Sequence, residues 1–182
     1  MSSDHALLIV DIQKDYFPGG RFPLEGIEQA TRNAQRVLSW FRAKSLPVIH
    51  IHHEFQDAQA PFFVPGTKGA EIHEAVAPLE GETVILKHYP NSFRETALQE
   101  TLEQKQVRKL TIIGSMSHVC IDATTRAAAD YGYDVTLVHD CVATRDVEFN
   151  GATVQAKQVH AAFMAALAFA YAKVVSTEEW LG

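Results

Sequence analysis

Several residue types and sequence runs are scarce in this chain, and each scarcity excludes something. Two cysteines in 182 residues are too few for a disulfide framework, and without an export signal they predict reduced thiols in a cytoplasmic protein. The opening MSSDHALLIVD has no cationic region ahead of a long apolar run, so no signal peptide is expected. The longest apolar stretch, AAFMAALAFAYA at 161–172, is too short to span a bilayer. Lys and Arg number 16 against 22 Asp and Glu, a net charge of −6, and no basic cluster reverses that balance, so no nucleic-acid partner is expected. Internal repeats, low-complexity tracts and linkers are also missing, which predicts one domain over residues 1–182. With 47% hydrophobic residues, the chain can build a core without a disulfide or metal staple.

What is present alternates. Strand-like runs lie at Ala6–Val10, Val48–His52, Thr83–Lys87, Leu110–Gly114, Val135–Val138 and Val174–Ser176. Helical patterns fall between them at about 26–44, 93–105, 118–131 and 153–171, the last placing Val154, Val159, Phe163, Leu167 and Ala170 close to one face. The apolar strands read as buried on both sides. The alternation predicts an α/β fold, a parallel sheet with helices on both faces. One long connection, 52–82, carries three prolines and most of the irregular sequence, which suits the wall or lid of a site.

In such sheets, ligands bind beyond the carboxyl ends of the strands, where strand order reverses. Asp11 directly follows ALLIV, Lys87 ends TVILK, and Cys120 follows KLTIIG by a short turn, at the start of a helix. Each alone would pass for a capping residue, but together they are an acid, a base and a thiol converging on one sheet edge. A free thiol has a pKa of about 8.5, and both a helix N-terminus and the Lys87 ammonium should favour its anion. Asp11 can accept the thiol proton and later deliver it to a departing amine, the logic of acyl transfer with lysine in place of histidine. Pairing with Asp11 would offset the cost of burying Lys87. The turn from Gly114 to Cys120 should supply backbone N–H donors to an oxyanion, worth ~3 kcal/mol each.

The segments LLIVDIQKDYF, VILKHYPNSF and GSMSHVCIDATTRAAADYGYDVTLVHDCVATRD resemble the isochorismatase-like cysteine hydrolase superfamily. That group includes nicotinamidases, N-carbamoylsarcosine amidases, ureidoacrylate amidohydrolases and isochorismatases. The likeness extends to FVPGTKGAEI and to QVHAAFMAALAFAYAKVVSTEEWL, and so to nearly the whole chain. It implies a three-layer, Rossmann-like fold with six parallel strands, and a catalytic trio of Asp11, Lys87 and Cys120. It also implies oxyanion donors at the amides of Met116 and Cys120, a cis peptide between Ser115 and Met116, and a homo-oligomer. The expected reaction is hydrolysis of a small amide or carbamoyl C–N bond through a thioester. Vinyl ether hydrolysis is the alternative, although isochorismatases of this superfamily generally lack the cysteine. A non-enzymatic binding or scaffold protein would be expected to carry a broken trio, and the trio is intact.

Further candidates are the aromatic residues that could wall the site: Tyr16, Phe17, Phe62, Phe63, Tyr89 and Phe93. His118 matches a family position that is often histidine and reads as a turn or pocket residue, and Cys141 as a small buried hydrophobe. In IHIHHE, His50 and His52 share a strand face with His53 following, but the Asp-x-His arrangement of some nicotinamidases is missing. Neither a metal nor another cofactor is expected. The stretch at 161–172 leaves little polar face, which suits a helix buried against the sheet or one at a subunit contact. The resemblance favours the contact, with a neighbour's loop completing the site near residues 53–82.

Overall fold

The computed structural model describes residues 4–182. In chain order the elements are β1 (His5–Val10), a helical turn at Lys14–Tyr16, α1 (Ile27–Ala43), β2 (Val48–His53), β3 (Thr83–Lys87), α2 (Leu98–Gln104) and β4 (Lys109–Ser115). There follow α3 (Asp122–Asp130), β5 (Asp134–Ala143), β6 (Val147–Phe149), β7 (Ala152–Val154), α4 (Ala156–Ala170), β8 (Lys173–Val175) and α5 (Thr177–Leu181). The main sheet has six strands, all parallel, in the order β3-β2-β1-β4-β5-β8. Strand order reverses between β1 and β4, so their carboxyl ends frame the crevice where a ligand binds.

Alternation along β1 makes the three layers. Leu7 and Ile9 face one core with Ala34, Val37, Leu38 and Phe41 of α1. Leu8 and Val10 face the other, with Leu98 and Leu102 of α2, Ala128 of α3 and Leu167 of α4. The strands at the site's edge come unusually close. Gly114 pairs with Val10 and has φ 131°, and a Cβ there would lie 1.9 Å from the Val10 carbonyl oxygen. Only glycine lets β4 approach β1 at that point.

Several expectations need correction. β3 is not buried on both sides: it is the sheet's edge, and Val84 and Leu86 are 46% and 39% exposed. The expected 93–105 helix starts only at Leu98, because side-chain bonds such as Thr96 Oγ1 to the Ser92 carbonyl hold residues 91–97 in turns. The expected 118–131 helix opens as a wide π-type turn over Ser117–Ile121. Ahead of α4 stands the β6–β7 hairpin, turned by Asn150 and Gly151 at φ 51° and 76°, the pair that suits a tight turn of this hand. α4 is not wrapped by its own chain: Val159, Met164 and Leu167 are buried, whereas Ala161, Ala165 and Ala170 are exposed and Phe169 is 92% exposed. Among the described residues, no helix is long and apolar enough to cross a membrane.

Candidate active site

Three strand ends carry the expected trio. Asp11 leaves β1 in the left-handed region, φ 52°, with its N–H donated to the Ile51 carbonyl at 3.0 Å. Such a backbone is costly for a non-glycine residue, and strain of this kind gathers at functional sites. Lys87 closes β3 and lies beside His53, its register partner on β2. Cys120 sits in the π-type turn after β4, where the Met116 carbonyl accepts from the N–H groups of Val119 and Ile121, both at 3.2 Å. The Ser115–Met116 peptide is cis.

The side chains meet around the lysine. Lys87 Nζ is 2.8 Å from Asp11 Oδ2, 3.0 Å from His53 Nδ1, 3.1 Å from the Tyr89 carbonyl and 3.2 Å from Cys120 Sγ. Asp11, Lys87 and Cys120 are 0%, 1% and 3% exposed. Ligand atoms of Asp11, His53 and Cys120 also lie within 4.8 Å of one another, a spacing that could hold a metal. Here the Lys87 ammonium contacts all three and supplies the positive charge. The Asp11 contact is an ion pair without aligned hydrogen bonds: neither carboxylate oxygen has a hydrogen-bond partner among the described residues.

Burial works against charge on Lys87, but Asp11 and Cys120 outweigh it and hold the lysine above its ordinary value. Burial pushes the Cys120 thiol strongly upward and Asp11 adds to this, with only Lys87 opposing. Cys120 is therefore held toward its protonated, thiol form. That reverses the expected preference for the anion: desolvation and a neighbouring carboxylate outweigh the ammonium and the helix start. Burial and then Lys87 drive His53 down to about 4, so its imidazole is neutral.

Residues that the sequence did not single out hold this cluster. Buried Gln13 donates through Nε2 to the carbonyls of His53 and Ala70, both at 2.8 Å, and accepts the His53 N–H at 2.8 Å. Asp15 accepts the Phe63 N–H at 2.7 Å and the Arg21 N–H at 3.1 Å, pinning the long connection over the site. A Q-x-D pair just beyond a buried strand end was the available signal.

The expected wall residues divide. Tyr16 is buried, and burial first, then Cys120 and Asp11, hold its phenol well above the usual value, which places it at the cluster. Phe63 packs 4.6 Å from the Tyr16 ring and 6.1 Å from His53. Phe62 stacks on Phe22 at 4.1 Å, Phe17 on His73 at 3.8 Å, and Phe93 packs against Tyr131 at 5.1 Å. Tyr89 contributes its carbonyl to Lys87 while Arg94 lies over its ring at 3.6 Å. His118 Nδ1 bonds Thr144 Oγ1 at 2.7 Å, tying the turn that carries Cys120 to the end of β5. His50 pairs with Glu82 at 2.8 Å, away from the trio, and Cys141 contacts Thr177 at 3.3 Å. A cavity of about 610 Å³ is lined by Lys14, Phe17, Arg21, Lys68 and His73 rather than by the trio.

The sequence matches the isochorismatase domain over residues 5–179. It is 49% identical over 176 residues to YddQ, an uncharacterized isochorismatase family protein of Bacillus subtilis, covering 97% of this chain and 98% of that one. It is 29% identical over 154 residues to a maleamate amidohydrolase of Pseudomonas putida, covering 77% of this chain and 72% of that one. The fold superposes on the crystal structure of an isochorismatase hydrolase homologue from Oleispira antarctica with a TM-score of 0.94 and 53% identity, covering 97% and 95% of the two chains.

Proposed function

The chain belongs to the isochorismatase family, and from that premise we propose that it hydrolyses a small amide or carbamoyl C–N bond through a thioester on Cys120. The observation that carries this reading is the contact of one buried ammonium with both a thiol and a carboxylate, at 3.2 and 2.8 Å. The name of the maleamate amidohydrolase relative is in keeping with C–N cleavage.

The geometry suggests the steps. Asp11 takes the thiol proton as Cys120 Sγ attacks the carbonyl carbon, and Lys87 balances the sulfur's charge. The N–H groups of Met116 and Cys120 receive the oxyanion. Collapse breaks the C–N bond, and Asp11 returns its proton to the leaving nitrogen. Water, deprotonated by Asp11, then attacks the thioester and releases the acid and the thiol. Every proton is accounted for within the trio, and no metal enters a step. The buried site suits a small substrate, with Tyr16 and Phe63 among its aromatic walls.

Vinyl ether hydrolysis remains the second reading, because a thiol could be a spectator there. We place the protein in the cytoplasm, where Cys120 and Cys141, both free, stay reduced. We also propose self-association through the apolar face of α4. A panel of small amides, carbamoyl compounds and isochorismate, assayed for ammonia or product, tests the reaction class. Ammonia release from any amide or carbamoyl compound supports C–N hydrolysis, whereas turnover of isochorismate alone would transfer the assignment to the ether.

A further inference from the structure

Asp11, His53 and Cys120 together hold ligand chemistry that the steps above do not use. They come from the ends of β1 and β2 and from the turn after β4, and one ligand atom from each lies within 4.8 Å of the others. A carboxylate, an imidazole and a thiolate are donor types that bind zinc, and three protein ligands suffice when a water completes the tetrahedron. All three residues are buried. Neither Asp11 oxygen has a hydrogen-bond partner among the described residues, so the carboxylate keeps its lone pairs for a cation. His53 Nδ1 is turned into the cluster, 3.0 Å from Lys87 Nζ.

The Lys87 ammonium holds the cation's place, 2.8 Å from Asp11 Oδ2 and 3.2 Å from Cys120 Sγ. Zinc bonds are about 2.0–2.3 Å, so the three donors would draw in by roughly 1 Å around the ion. The charges also balance. An Asp11 carboxylate, a Lys87 ammonium, a Cys120 thiol and a neutral His53 sum to zero. A divalent ion restores that sum when the thiol and the ammonium each release one proton to solvent. We propose that a thiophilic divalent cation, zinc foremost, binds Asp11, His53 and Cys120 in the place of the Lys87 ammonium and reversibly blocks the thiol.

Two features mark the ion as a visitor rather than a resident cofactor. A resident metal's histidine almost always donates its second ring N–H to a carboxylate, a carbonyl or water. His53 Nε2 is buried and has no partner among the described residues. Lys87 also resists displacement: burial works against its charge, but Asp11 and Cys120 outweigh that and hold its proton more firmly than usual. The site is therefore inhibitory. The ion occupies the sulfur that the proposed reaction needs, and a chelator frees it.

The readouts need no substrate, so they stand whatever the amide panel shows. Cobalt(II) reports such a site because thiolate ligation adds a sulfur-to-cobalt charge-transfer band in the near ultraviolet. Titrated into the wild-type chain it should give that band, zinc should abolish it, and Cys120→Ala should lack it. Zinc should also protect the Cys120 peptide from iodoacetamide, and EDTA should restore alkylation. His53→Leu, short of one ligand, should need about tenfold more zinc for half protection. Lys87→Leu, with no ammonium to deprotonate at neutral pH, should need about tenfold less. A wild-type protein without the cobalt band, or a band that Cys120→Ala keeps, overturns the proposal. So does His53→Leu protected at the wild-type zinc concentration, the result expected of a cysteine binding alone. Lys87→Leu protected no better than wild type overturns the competition with the ammonium. If neither variant folds, the cobalt spectra of wild type and Cys120→Ala decide.

Discussion

Asp11→Asn separates two effects that a catalytic base usually combines. In the native site the carboxylate lies 2.8 Å from Lys87 Nζ, and both groups are fully buried. At an effective dielectric of 20 that pair is worth about 6 kcal/mol of Coulomb attraction before desolvation. Removing one partner of a buried pair typically costs about 3–5 kcal/mol, which for a chain of this size lowers Tm by roughly 6–20 °C. The stranded ammonium then has one group able to become its counter-charge, Cys120 Sγ at 3.2 Å. Asp11 is also among the causes that push the thiol up, so its removal acts on the sulfur in the same direction. The variant should therefore react with iodoacetamide at least tenfold faster at neutral pH while hydrolysing its substrate orders of magnitude more slowly, because the proton carrier is gone. Thermal melts and alkylation of the Cys120 peptide, run on the same folded sample, check both halves. A folded variant that alkylates more slowly than wild type would refute the placement of Asp11 against the thiol.

Three further outcomes follow from the same geometry. Lys87→Met removes the group opposing the rise in the Cys120 pKa, so iodoacetamide alkylation should shift to higher pH, and an unchanged profile would contradict the 3.2 Å contact. Acid should weaken the fold in two stages, measured as Tm against pH. Burial lowers His50, and burial with Lys87 takes His53 to about 4, so the unfolded chain binds more protons and stability falls as pH drops from 6.5 towards 4. Burial pushes Glu82 up, but Arg42, the Leu79 N–H and His50 hold it at about 2, and its contribution is lost between pH 4.5 and 2. A Tm that does not fall on acidification to pH 4 would contradict the first stage. Finally, Phe169→Glu on α4 should reduce the particle seen by light scattering to one chain mass, and a wild-type protein already of that mass would remove the proposed contact.

The strand ends were legible in the sequence because chemistry interrupts apolar runs there. ALLIV stops at Asp11, TVILK stops at Lys87, and KLTIIG leads into a glycine that only a close strand approach demands. Within IHIHHE, His53 was weighed for a metal and set aside, and its place beside Lys87 comes from the register of β2 on β3. Sequence alone does not give the register of two parallel strands joined by a long connection. The upward pull on the Cys120 thiol was missed for a related reason: burial of the whole cluster decides its sign, and burial belongs to the assembled fold. Two other features had local signals that went unused, the Asn150–Gly151 turn and the Ser176 and Glu179 capping box that starts α5. The exposed edge of β3 had none, since TVILK reads like an interior strand.

The most direct test of the account is to quench a turning-over reaction in acid and weigh the intact protein, using whichever amide or carbamoyl compound of the panel releases ammonia. A covalent intermediate predicts a population heavier by the acyl group, mapped to the Cys120 peptide, and missing from a folded Cys120→Ala protein that no longer turns over. Ammonia release by Cys120→Ala at near the wild-type rate, with no adduct on either protein, would contradict it.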